Sequence, residues 1–144
     1  MIQARRFLLT VLAVFAPVAA CATQSQDLER ARQHYHNLEF PRAMALLRLL
    51  GDDELSLSPA ERVQYAFLRG MTDLRVSESL PLDNPDRRLY RACGRDWLMR
   101  ALSPKGDELE PASRSLSDEQ AARARAALST LADVELEPGR CTAR

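Results

Sequence analysis

Histidine, lysine and strand-like alternation are what this 144-residue chain has least of. Its two histidines, His34 and His36, stand two residues apart. On a helix they point about 200° from each other and cannot chelate one ion, so no metal site is expected and both are read as exposed polar groups. A Gly-x-Ser-x-Gly elbow and a phosphate-cradling glycine loop are also missing, which removes the usual sequence grounds for a nucleophilic or nucleotide-dependent site. Carboxylates gather at Asp52, Asp53 and Glu54 and again at Asp107, Glu108 and Glu110, but in apparent loops, where solvation explains them. No catalytic residue and no cofactor are therefore expected. Twenty basic residues balance twenty acidic ones. A nucleic-acid binder would carry a basic excess, so that partner is excluded too.

With no convincing strand alternation, the chain reads as all-α, with about five helices in antiparallel hairpins. Leu28, Ala31, Tyr35 and Leu38 step by three and four along a first helix. Phe40, Ala43, Met44, Leu47 and Leu50 do so along a second, with Pro41 in its first turn and Gly51-Asp52-Asp53 ending it. Ser58-Pro59-Ala60-Glu61 is a capping box that opens a third, whose core face is read as Ala60, Val63, Phe67, Gly70 or Met71, and Leu74. Asn84-Pro85 starts a fourth, with Leu89, Cys93, Trp97 and Ala101 on one side. Ser117-Asp118-Glu119-Gln120 caps a fifth, with Ala121, Ala124, Leu128 and Leu131 inward. Residues 26–137 form one domain on this reading, 103–115 a polar connection, and 138–144 an irregular tail.

The start of the chain carries an address. A basic opening (Arg5, Arg6) precedes an apolar run from Phe7 to Ala16, and small residues follow. These are the parts of a secretory signal peptide, and the run is short for a membrane crossing. Val18-Ala19-Ala20-Cys21 resembles the lipobox of bacterial lipoproteins. That resemblance implies cleavage after residue 20, a diacylglycerol on the Cys21 sulfur, and acylation such as palmitate on the new amino group. It also implies a membrane as partner through that lipid, in the cell envelope and facing the periplasm. Ala22 is compatible with export to the outer membrane. The competing reading is an uncleaved anchor with an incidental cysteine. Residues 22–25 are expected as a tether.

If Cys21 carries lipid, Cys93 and Cys141 remain as an even pair in an oxidising compartment. A disulfide, two buried thiols and a redox pair are the alternatives, although a redox pair more usually has C-x-x-C spacing.

Ala31, Tyr35, Phe40, Ala43 and Leu47 resemble a tetratricopeptide repeat in one hairpin, with Gly70 and Leu74 a weaker echo in the next. The resemblance implies a capping helix at the C-terminal side and a protein-binding role. Small helical lipoproteins include the pilotins, which escort secretin subunits. By that analogy the expected function is a non-catalytic scaffold or assembly factor whose partner is an envelope protein. An enzyme or regulator acting on peptidoglycan, and a lipid carrier, are the rival functions.

One surface feature suggests where a partner would sit. Arg87, Arg88, Arg91 and Arg95 lie within about 100° on the fourth helix, continued by Leu98 and Leu102. Arg88, Arg91, Arg95 and Leu98 are the candidate contacts for an acidic peptide or anionic headgroups. Otherwise the row is a solvated face with its leucines buried against the fifth helix. Trp97 and Tyr90 form a sugar platform on one reading and core filling on the other.

Overall fold

A computed structural model describes residues 16–103, 116–134 and 141, with side chains from residue 23. Five α-helices are found there: α1 Ala16–His36, α2 Phe40–Asp52, α3 Pro59–Ser79, α4 Pro85–Leu102 and α5 Asp118–Ser129. A 3₁₀ turn, Glu54–Ser56, joins α2 to α3, and no strand occurs among the described residues. The expected signal segment lies mostly outside the described residues, as do the 104–115 connection and, Cys141 apart, the tail from 138.

The helix starts follow their sequence signals. Ser58 accepts from the Glu61 amide while Glu61 accepts from the Ser58 amide. Ser117 and Gln120 repeat that exchange, and the Asn84 side chain caps Asp86. Each satisfies amides that the first helical turn leaves without a partner. Pro41, Pro59 and Pro85 stand in first turns, where a missing N–H costs nothing.

α1 pairs with α2 and α3 with α4 as antiparallel hairpins, and α5 closes onto α4 and α3. α3 also packs on α1 and α2, so four helices surround it. That is why its burial exceeds one stripe: Tyr65, Ala66, Leu68, Arg69, Thr72, Asp73 and Ser77 are covered along with the expected Val63, Phe67, Gly70 and Leu74. Ala60 is the exception to the expected face and is exposed, because it sits at the outer end of the helix. The first hairpin places its repeat-like residues as close packing requires. Ala31, Ala43 and Leu47 are fully buried, and the Tyr35 and Phe40 rings meet with centroids 5.6 Å apart.

α2 stops within the expected Gly51-Asp52-Asp53, with Asp52 its last residue and Asp53 its cap, and a side chain at Gly51 would strike the Tyr65 hydroxyl at 2.8 Å. Two expectations change. Residues 22–25, expected as a slack tether, continue α1. Leu38 is not on the core face of α1. It follows the helix with φ 62° and is 72% exposed. Its amide donates to Tyr35 O and the Glu39 amide to His34 O, which together form a Schellman closure. The chain must turn sharply within three residues to begin α2, and only a left-handed residue allows that.

Cys93 on α4 and Cys141 are brought into disulfide contact with Cα atoms 5.2 Å apart, inside the span such a bridge allows. It closes a loop of 48 residues in sequence and ties the tail to α4.

Two measurements follow from these closures. Leu38→Gly should raise unfolding free energy by about 1 kcal/mol in urea titration, since glycine tolerates the left-handed conformation. Cys141→Ser should lower it by roughly 2–4 kcal/mol. Non-reducing peptide mapping should recover the Cys93 and Cys141 peptides linked.

Candidate functional site

Two places concentrate chemistry. The first is buried. One helical turn apart on α3, Arg69 and Asp73 face the interior with side chains 5% and 1% exposed. Arg69 Nε lies 3.5 Å from Asp73 Oδ2, an ion-pair contact longer than a good hydrogen bond. Around them stand Tyr65, whose hydroxyl donates to Leu47 O at 3.1 Å, and Trp97, edge-on to Tyr65 with centroids 5.4 Å apart. The Arg69 guanidinium lies 5.9 Å from the Trp97 ring centre, and Arg100 covers the same ring at 4.5 Å. From α2, Arg48 donates to the Tyr90 hydroxyl at 2.9 Å and adds its charge to the field at Asp73.

Burial dominates this cluster. It pushes the Asp73 carboxyl up to about 7, against the opposing pull of Arg69 and then Arg48. Burial likewise raises the Tyr65 phenol. A carboxyl titrating near neutrality is a common mark of acid–base catalysis. At 1% exposure, however, Asp73 offers no route to a substrate. The arrangement can hold a proton and fix helix register; it cannot meet a polymer such as a glycan strand.

The second place is open. α1 and α3 run parallel, and Ser25, Leu28, Glu29 and Arg32 of the first face Ala60, Glu61 and Gln64 of the second across a groove of about 380 Å³. Arg32 donates to Glu29 at 2.8 Å and to Gln64 at 3.4 Å. Gln64 and Gln120 exchange amide hydrogen bonds at 3.2 and 3.0 Å, which extends the polar row onto α5. At the lower end the Ser25 hydroxyl donates to Glu61, and this bond with that from Ser58 holds the Glu61 carboxyl below its usual range. A row of amide and charged groups, hydrogen-bonded to one another, thus crosses α1, α3 and α5 beside the buried Leu28.

The arginine row expected on α4 is differently employed. Arg91 donates to the O of Thr130, the cap of α5, at 3.1 Å, and Arg95 donates to Val134 O in the segment beyond it. Arg87 donates to Leu80 O at 2.9 Å. Leu98 is fully buried over Gly70 of α3, and Leu102 packs on the core. Only Arg88 of that candidate set is well exposed. Trp97 is 3% exposed and Tyr90 is engaged by Arg48, so they do not form an open sugar platform. His34 contacts Glu39 and lowers that carboxyl's pKa by hydrogen bonding. Among the described residues no three His, Cys, Asp or Glu side chains converge as a metal site, and no helix is long and apolar enough to cross a membrane.

The sequence signal for the buried pair was present in the unbroken apolar run Tyr65–Leu68. Such a run means a helix covered on more than one face, so charges in its middle turns, Arg69 and Asp73, come to be buried as well. The groove has no comparable signal, since Ser25, Arg32 and Gln64 look like ordinary surface residues.

No family model, curated protein or solved structure matches this chain. Its function has to be argued from its own residues.

The Asp73 site predicts a pH dependence. The folded state holds that proton up to about pH 7, and the unfolded chain only up to about 3.8. Its contribution to stability is therefore fully present below the lower value, is lost as pH rises through the upper one, and totals on the order of 4 kcal/mol. Subtracting the stability profile of Asp73→Asn from that of the wild type should isolate this slope. A flat difference between pH 4 and 7 would rule out a raised Asp73.

Proposed function

We propose that this chain is a lipid-anchored protein of a bacterial envelope, facing the periplasm from the outer membrane, whose helical domain binds another envelope protein without catalysis. The carrying observation is Val18-Ala19-Ala20-Cys21, placed directly after a basic start and a short apolar run. A fatty anchor supplies address and raises the effective concentration of the domain at the membrane, so modest affinity for a membrane-associated partner suffices. Ala22 after the lipidated cysteine favours the outer membrane.

The recognition surface of this reading is the groove between α1 and α3. The inner part of α1 and the first turns of α3 stay open to one another along this groove. Arg32, Gln64 and Gln120 supply donors and acceptors there, and Leu28 supplies the apolar floor. Scaffolding or assembly of an envelope machine is the role such a face fits, by analogy with small helical lipoproteins such as the pilotins. The peptidoglycan-enzyme reading draws no support from Asp73, whose neutral-range carboxyl is buried. Lipid carriage would need an apolar cavity, whereas Glu29, Arg32, Glu61 and Gln64 give this groove a polar rim.

Mass spectrometry of the native protein tests the anchor. The expected product lacks residues 1–20 and carries acyl chains at Cys21, and Cys21→Ser abolishes both changes. Affinity capture of the lipidated protein from membranes should then recover one stoichiometric complex, lost in a Glu29→Arg, Gln64→Arg variant of unchanged helicity. Recovery of Met1 with an unmodified Cys21 thiol would overturn the proposal.

A further inference from the structure

The backbone of α1 is helical through Cys21 and onward to His36. The residues just after that cysteine are tied to the body of the domain. Ser56 donates to Gln24 Oε1 at 2.6 Å, and the Ser25 hydroxyl donates to Glu61. Gln24 thus stands three residues from the attachment point and touches the Glu54–Ser56 turn that links α2 to α3. Three helical residues rise about 4.5 Å. Drawn out fully, they span at most about 11 Å. The interfacial layer on each side of a bilayer is about 5–8 Å deep. The chain between lipid and clamp is therefore too short to hold this turn well clear of the membrane surface.

At the centre of that turn, Leu55 is 88% exposed, more than any other large apolar residue described. Resting on the lipid-anchor reading above, we infer that the end of the bundle carrying the Glu54–Ser56 turn lies against the bilayer, with Leu55 seated among the headgroups as a second, apolar contact. The bilayer is the occupant because a covalent anchor one helical turn from Gln24 brings it there. Asp52, Asp53 and Glu54 flank Leu55 and would be repelled by an anionic leaflet, so the surface that fits is a net-neutral one. The contact also sets an orientation. α3 begins beside this turn and is 21 residues long. At about 1.5 Å per residue, its far end and Leu82 stand roughly 30 Å away from Leu55. Leu38, at the far end of α1, belongs to that distal end as well. The groove between α1 and α3 then opens sideways, in the plane above the membrane.

The test uses full-length lipidated protein in vesicles of phosphatidylethanolamine and phosphatidylcholine that contain a headgroup nitroxide lipid. Leu55→Cys and Leu82→Cys each provide a labelling thiol at an exposed position, and circular dichroism checks that both variants keep their helices. A fluorophore at position 55 should be quenched several-fold more than one at 82. Equal quenching at the two positions, or stronger quenching at 82, overturns the orientation. Failure of the anchor reading is read separately, as the absence of acyl mass on Cys21 before any vesicle is added, and it overturns both.

Discussion

The fold depends on how closely α3 and α4 approach. A side chain at Gly70 would lie 2.7 Å from Leu98 Cγ and 3.0 Å from the Gly94 carbonyl oxygen. One at Gly94 would lie 2.9 Å from Leu74 and 3.1 Å from the Gly70 carbonyl oxygen. Each glycine is therefore required by the backbone of the other helix, and methyl groups there would push the pair apart. The close crossing lets Trp97 stack edge-on to Tyr65 and lets Leu98 fill the space over Gly70. It also holds α4 where its outer side can receive α5. Arg91 and Arg95 then take carbonyls of the segment that follows that helix, and Cys93 takes Cys141.

The same crossing covers Arg69 and Asp73. Moving two charges out of water is expensive, and a 3.5 Å contact recovers only part of that cost. The raised Asp73 carboxyl measures the unrecovered remainder. Perturbed carboxyls cluster at active sites, but they arise equally wherever packing closes over an ion pair. Accessibility separates the two cases. Here α2, α3 and α4 contribute Arg48, Tyr65 and Trp97 around a carboxyl that no substrate can approach, so the cluster bears on helix register and on the pH dependence of stability.

The proposed recognition surface lies instead on α1, α3 and α5. Their polar row from Glu29 through Arg32 and Gln64 to Gln120 spans three helices without any residue that is unusual in sequence. The start of α1 belongs to this face as well, because Gln24 and Ser25 reach the α2–α3 turn and Glu61. In the proposed lipoprotein, anchor and recognition face are therefore parts of one rigid helix, and the membrane constrains the direction in which the groove points.

Local signals in the chain were enough to determine the five helices, the starts of the second to fifth, and the hairpin order. Capping boxes at Ser58 and Ser117, first-turn prolines and the three-and-four spacing of apolar residues act within one turn of backbone, so they can be read without a partner. The identity of Trp97 as core and the close-packing role of Gly70 were legible for the same reason. Tertiary structure decided what depends on residues distant in sequence. It assigned Arg91 and Arg95 to carbonyls of the segment that follows α5, buried Leu98, set Gly51 against Tyr65, and placed Leu38 in a left-handed turn. It also made the Asp73 carboxyl neutral-range, because burial on all sides is a property of four packed helices and of no single segment.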